Sequence, residues 1–181
     1  MIIFFGPAGA GKSVQGQILS ARHGWRWLSA GQLLRDTHDA ELLKEMATGK
    51  LVDDEFINKV VPKALENSQD IEHLILDGFP REKAQAEWLV QTLPHHKRDI
   101  KLVVVLEVPQ SEIVRRLKIR GRVDDTTEAI TERLRIYREK IYPILDFLNS
   151  SRVRIAHIDG TGTVGQVHDR IEAELVACSL V

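Results

Sequence analysis

The 181-residue chain is long enough for one domain with a sizeable core, and 43% of it is hydrophobic. Lys+Arg 25 against Asp+Glu 26 leaves a net charge of -1, which excludes a general binder of nucleic acid or membrane surface; any polyanion site must come from local clustering of cations. A single cysteine, Cys178, excludes an internal disulfide and a multi-cysteine zinc site, and Met1 to Phe5 is too short and lacks the basic flank of a signal segment, so a soluble, cytoplasmic protein is expected.

The first predicted element is the apolar strand Met1 to Phe5. It opens into Gly6-Pro7-Ala8-Gly9-Ala10-Gly11-Lys12-Ser13, which satisfies G-x-x-x-x-G-K-[ST]. Val14 to His23 reads as a helix, so this loop sits at a helix N-terminus, where partial positive charge adds to the Lys12 ammonium. Trp25 to Leu28 alternates and predicts a short strand whose two tryptophans pack on one face. Ser29-Ala30-Gly31-Gln32 has capping-box form and opens a short helix through Arg35. Helices are predicted from Ala40 to Ala47 and from Asp53 to Asn67, which makes a small helical insert between two strands.

His73 to Asp77 predicts a buried strand ending in an acid, followed by a helix from Glu82 to about Leu93 that Pro94 stops. His95 to Arg98 is expected to be a solvated loop, since the paired histidines lack metal-ligand spacing. Ile100 to Val108 has the continuous apolarity of a strand covered on both faces. An arginine-rich helix, Ser111 to Arg120, breaks at Gly121. A long helix follows with Asp125 as its expected N-cap, Ile130, Leu134, Tyr137, Ile141, Leu145 and Leu148 on one side, and Pro143 kinking or dividing it. Val153 to Ile158 and Val164 to Val176 complete the alternation of strand and helix. That alternation predicts an α/β fold with a parallel sheet between two helical layers, and ligands at the carboxyl ends of its strands.

Gly6, Asp77, Pro109 and Asp159 all fall at or just beyond such ends. A phosphate chain in Gly6 to Ser13 gives Asp77 a natural role beside Ser13 as a Mg²⁺ partner, directly or through water. Arg35, Arg81, Arg116, Arg120, Arg122 and Arg133 lie in loops and helix ends expected on the same rim, whereas Arg115, Arg135 and Arg138 read as solvated helix surface. Two nucleotides brought together crowd like charges, each pair costing ~4 kcal/mol at 4 Å and an effective dielectric of 20. Forked guanidiniums offset that repulsion.

With these residues in place, the sequence resembles the adenylate kinase family of nucleoside monophosphate kinases almost end to end. The resemblance is carried by Gly6 to Lys12, by Leu28-Ser29-Ala30-Gly31 with Leu33-Leu34-Arg35, and by Gly49-Lys50-Leu51-Val52. It continues through Asp77-Gly78-Phe79-Pro80-Arg81 with Gln85, then Gly121-Arg122-Val123-Asp124-Asp125 and Arg133-Leu134. It implies a single domain over residues 1–181: a three-layer P-loop fold with a five-stranded parallel sheet, a monophosphate-binding insert at about 29–52 and a short lid at about 121–125. The implied reaction is reversible transfer of the γ-phosphoryl group of Mg-ATP to AMP, giving two ADP, by a monomer that needs no nucleic-acid or membrane partner.

Carried over by position, the resemblance implies that Gly9, Ala10, Gly11, Lys12, Ser13, Val14, Arg116, Arg120 and Gly162 bind ATP. Ala30, Arg35, Lys50, Leu51, Val52, Gly78, Phe79, Arg81, Gln85, Arg122 and Arg133 are implied at the AMP site. Lys12, Arg81, Arg116, Arg120, Arg122 and Arg133 are implied in catalysis, and Ser13 and Asp77 at Mg²⁺. Three departures stand out. Ser13-Val14 follows the loop lysine where the family usually has Gly-Thr; Ala30 and Gln32 replace a threonine and an acid; and one glycine joins Arg120 to Arg122, a minimal lid with no room for a zinc-binding insert. Ala30 keeps open a UMP/CMP-preferring kinase of the same fold, and the loop alone would also suit a P-loop ATP-binding switch or assembly factor. The arginine set weighs against the latter, because a binding module has little use for Arg120 and Arg122.

Overall fold

Short apolar runs alternate with longer segments patterned at helical spacing, and the chain folds accordingly into a parallel sheet between helical layers. The computed structural model describes residues 1–48, 54–122 and 124–181, leaving aside the side chains at 45 and 54–59. Five strands, β1 (Ile2–Phe5), β2 (Arg26–Ser29), β3 (Leu74–Asp77), β4 (Leu102–Glu107) and β5 (Ile155–Asp159), pair in parallel in the order β2-β3-β1-β4-β5. The first helix α1 (Lys12–His23) follows β1; α2 (Ala30–Arg35), α3 (Ala40–Ala47) and α4 (Asp54–Glu66) stand between β2 and β3; and α5 (Lys83–Thr92) follows β3. The remaining helices are α6 (Gln110–Arg120), α7 (Thr127–Ser150) and α8 (Val164–Ala177). No helix among the described residues is long and apolar enough to cross a membrane.

The sheet sorts its side chains by alternation. Ile3, Phe5, Leu74, Leu76, Val103 and Val105 face one core with Leu34, Leu65, Leu89 and Leu148. Ile2, Phe4, Ile75, Val104 and Leu106 face the other with Leu19, Ile113, Leu117 and Ile171. Both faces are covered, which explains why β1, β3 and most of β4 carry no polar residue until their ends. Trp25 is buried and Trp27 half-buried against the second of these cores, so both tryptophans serve packing on one side of the sheet.

Several local expectations are corrected. The phosphate-loop helix begins at Lys12, two residues before Val14. At α2, the Ser29 hydroxyl accepts from Gln32 N–H, but the Gln32 side chain turns away to Asp36 and Arg35, so the capping box is half made. Residues Leu93–His96 form a 3-10 turn rather than a free loop. Arg98 is no solvated charge either: its guanidinium is held by the carbonyls of Ser68, Ile71 and Glu72, closing the end of α4. Thr126, not Asp125, caps α7, because the Asp125 carboxylate is engaged by arginines.

Pro143 neither divides nor ends α7, which runs unbroken for 24 residues. A proline inside a helix costs ~3 kcal/mol, while each fully buried apolar side chain contributes about 1.5–3 kcal/mol. Ile141, Ile144 and Leu148, on both sides of the proline, are all buried and outweigh it. Nor does α7 present a single stripe: Ile130 and Leu134 enter one core and Ile141, Ile144 and Leu148 the other, so this helix clamps the two faces together beyond the sheet.

Between α1 and β2 the packing leaves no room for a methyl group at Gly16, where a Cβ would lie 2.4 Å from Trp27 Cδ1. Gly16→Ala is expected to destabilise the fold by about 1–3 kcal/mol, read as a shift in the denaturant midpoint at unchanged slope. An unchanged midpoint would mean the Trp27 ring yields freely.

Candidate active site

Strand order decides which loops meet. The carboxyl ends of β2 and β3 lead into Arg35 and Arg81 on one flank of β1, and those of β4 and β5 lead into Arg116, Arg120 and Gly160–Thr163 on the other. Between them stands the glycine-rich loop after β1. All of these segments line one cleft of about 750 Å³.

The loop takes its shape from glycine: Gly6, Gly9 and Gly11 have φ of 146°, 87° and 104°, and a Cβ at Gly9 would press on Leu117 at 3.0 Å. Lys12 folds back over it, donating from Nζ to the carbonyls of Gly6 (2.7 Å) and Pro7 (3.0 Å). Burial lowers the Lys12 pKa, Asp77 opposes that shift, and the charges of Arg81 and Arg120 add to it. Next to it, Ser13 Oγ donates to Asp77 Oδ2 at 2.7 Å, with Asp77 buried at the tip of β3. A hydroxyl and a carboxylate at the loop's mouth are hard oxygen donors suited to Mg²⁺. No cluster of three or more metal-ligating side chains occurs among the described residues, so a cation here would share its shell with phosphate or water.

On the β2–β3 flank, Arg35 and Arg81 converge. A methyl group built on Gly31 would stand 3.6 Å from Arg35 Nη1 and 4.0 Å from Arg81 Nη2, and one on Gly78 only 3.4 Å from Arg81 Nη2. These glycines leave a methyl-sized space open beside the two guanidiniums. Arg81 Nε donates to Gly78 O at 2.8 Å, and Gln32 Oε1 accepts from Arg35 at 3.3 Å. Burial lowers the pKa of both arginines, and neighbouring cations deepen the shift: Arg133 for Arg81, Arg122 for Arg35. Gln85 sits one hydrogen bond behind the cleft wall, its Oε1 accepting from Arg81 N–H at 2.7 Å. Ala30 and Phe79 bury their side chains in the core, Phe79 edge-on to Trp88, so any contact they make with a ligand is through backbone. The expected contributions of Lys50, Leu51 and Val52 lie outside the described residues.

On the other flank, Arg116 bridges loops: Nε donates to Glu112, Nη1 to Ala10 O (3.3 Å) and Nη2 to Gly160 O (2.9 Å). Arg120 forks onto Asp125 at 2.8 and 2.5 Å, and Arg133 reaches Asp125 (3.2 Å), Asp124 (2.5 Å) and the Met46 carbonyl of α3 (3.0 Å). Arg122 stands exposed at the rim. Gly162 lines the cleft at φ 93°, with Arg170 bracing its loop through the carbonyls of Asp159 and Thr161. The surface reading of Arg135 and Arg138 agrees with their exposed pairing to Glu132 with Glu139, and to Gln110, whereas Arg115, exposed and paired to Glu112, also lines the cleft.

The sequence reading missed the residues that hold the arginines. Glu112 stands four before Arg116, a spacing that signals a pair on one helix face, and its carboxyl is drawn down to about 2 by hydrogen bonds from Arg115 and Arg116. Asp124 and Asp125 stand close after Gly121 in sequence, but their service to Arg120 and Arg133 depends on how the chain folds back there.

Comparison with known proteins accords with this geometry. A family model described as adenylate kinase matches residues 4–153. The chain is 40% identical to the adenylate kinase of Prochlorococcus marinus (strain MIT 9211) over 96% of each chain. It is 38% identical to that of Thermus thermophilus, again over 96% of each, and 37% identical to that of Synechococcus sp. WH7803 over 96% of this chain and 97% of the other.

Asp125 makes the arginine cluster acid-sensitive. Burial alone would raise its pKa; Arg120, the Arg122 N–H and Arg133 outweigh burial and hold it below the usual carboxylate range. Its stabilisation is therefore present above the unfolded value, about 3.9, and lost as pH falls through the lower native value. Asp125→Asn should unfold earlier than the parent at pH 7, with the gap between the two melting temperatures closing below about pH 4. A gap that stayed constant with pH would assign the loss to something other than charge.

Proposed function

Because the chain belongs to the adenylate kinase family, we propose that it transfers the γ-phosphoryl group of ATP reversibly to AMP, giving two ADP, as a cytoplasmic monomer. The observation that carries this reading is the convergence of Lys12 with Arg35, Arg81, Arg116, Arg120, Arg122 and Arg133 on one cleft, with cations on both flanks of β1. A site for one nucleotide needs only one flank.

In the proposed arrangement, Gly9 to Val14, Arg116, Arg120 and Gly162 hold ATP on the β4–β5 side. The phosphate of AMP occupies the space beside Arg35 and Arg81 that Gly31 and Gly78 leave open. Ala30, Gly78 and Phe79 line the acceptor through backbone, and Lys50 to Val52 would complete its pocket. Arg122 and Arg133 then face the transferring group between the two nucleotides. An AMP phosphate is ionised at neutral pH, so attack in line on the γ-phosphorus needs no general base. The protein's part is to align the two phosphates and to place cations where charge moves in the transition state. Ser13 and Asp77 would hold Mg²⁺, directly or through water; when bound, that ion neutralises phosphate oxygens. Closing of the insert at about 29–52 and the lid at about 121–125 would exclude water that otherwise hydrolyses ATP.

AMP is the acceptor that membership of this family supports. Ala30 supplies no pyrimidine preference, because its methyl group packs among Leu34 and Phe79 in the core. In a coupled assay at fixed Mg-ATP, kcat/KM is therefore expected to be higher for AMP than for CMP or UMP. A preference for UMP would reverse the acceptor assignment, and no turnover with any of the three would sink the reading.

Lys12→Ala is expected to lose about 10³–10⁵ in kcat/KM, the range for a cation acting on a transferring phosphoryl group. A loss below about tenfold would remove Lys12 from the transition-state site.

A further inference from the structure

Helix α1 carries Gln15 on its first turn, 2% exposed yet at the wall of the cleft. Its Nε2 donates to Val164 O at 2.9 Å, and its Oε1 lies 3.2 Å from His168 Nδ1. A carbonyl only accepts, so the amide orientation is fixed at Val164; Oε1 must then accept, which puts a proton on His168 Nδ1. The far side of the His168 ring is met by Arg22 Nη1 (3.2 Å) and Glu172 Oε1 (3.2 Å), a donor and an acceptor. Glu172 is in turn held by His23 at 2.6 Å. The ring is thereby locked, and it locks Gln15.

Val164 is the first residue of α8 and ends the loop that contains Gly162. That loop is braced within itself by Arg170 and by the reciprocal Thr163–Gln166 cap. Gln15 ties its end to the helix that carries Lys12 and Ser13, and so sets the spacing between the phosphate loop and the β5 loop. Around that junction, Val14, Ile119 and Val164 line the cleft while remaining 45%, 72% and 52% exposed. Exposed aliphatic side chains inside a cleft offer a surface to the flat face of a base.

We infer that Gln15, held by His168, is a positioning residue for the nucleoside of the phosphoryl donor: it fixes where the base sits relative to the triphosphate without touching either. The inference rests on the adenylate kinase reading for the placement of the donor on this flank. Both ends of the Gln15 amide are used internally, so its contribution is to alignment.

The test compares ATP with inorganic tripolyphosphate, which fills the phosphate loop but has no base. By calorimetric titration, His168→Leu is expected to weaken ATP by about three- to tenfold, the worth of one oriented hydrogen bond, while tripolyphosphate affinity and the KM for AMP stay within about twofold. His168→Asn keeps a donor near the Nδ1 position and should restore ATP binding. Gln15→Met is read by the same contrast and decides the matter if His168→Leu does not fold. Equal weakening of ATP and tripolyphosphate, a parallel rise in the KM for AMP, or unchanged ATP binding would each overturn the inference. If the parent chain failed to phosphorylate AMP while the ATP–tripolyphosphate contrast held, the functional reading would fall and the positioning role would stand.

Discussion

Gathering like charges at one edge of a sheet is the constraint on which the rest of this molecule depends. Lys12 and the arginines at 35, 81, 116, 120, 122 and 133 share one cleft, in a chain whose net charge is -1. At an effective dielectric of 20, two cations 4 Å apart repel by ~4 kcal/mol, comparable to a large part of a domain's whole stability. The structure tolerates this by giving its acids to the arginines. Asp125 takes Arg120 and Arg133 together, Asp124 takes Arg133, Glu112 takes Arg115 and Arg116, and Asp77 stands against Lys12 and Arg81. Burial first, and the neighbouring cations after it, still hold the Lys12, Arg35 and Arg81 pKa values below their ordinary range. A bound phosphate chain would offset this crowding, so ligand binding and the cost of gathering the cations are two aspects of the same charge distribution.

Topology divides that charge cluster between two flanks of β1. With β1 in the centre of the order β2-β3-β1-β4-β5, the loops sort to opposite flanks without any long excursion of the chain. Helix α7 then spans both cores and carries Arg133 from the sheet's second face toward α3, where it meets the Met46 carbonyl. One guanidinium thus touches Asp124, Asp125 and α3 at once.

Much of this was legible in sequence because the signals are local. Gly6 to Ser13 declares its loop by spacing, the strands by continuous apolarity, and Arg35, Arg81 and Arg120 by their place near strand and helix ends. What could not be read is what depends on long-range pairing. Asp125 looks like a helix cap until the turn after Gly121 brings Arg120 and Arg133 to it. Arg98 looks like a solvated charge until three carbonyls from the end of α4 close around it. Pro143 looks like a break until buried side chains on either side outweigh the lost bond. Gln15 and His168 carry no motif, and they meet across 153 positions of sequence.

If the cleft holds two nucleotides at once with their phosphates in line, one molecule that carries two adenosines on a single polyphosphate chain should fill both places. Equilibrium binding is expected to give one such molecule per chain, bound far more tightly than ATP or AMP and displacing both. Affinity no greater than that of ATP, with AMP still able to bind alongside, would mean that the two nucleotides do not lie in line in one cleft.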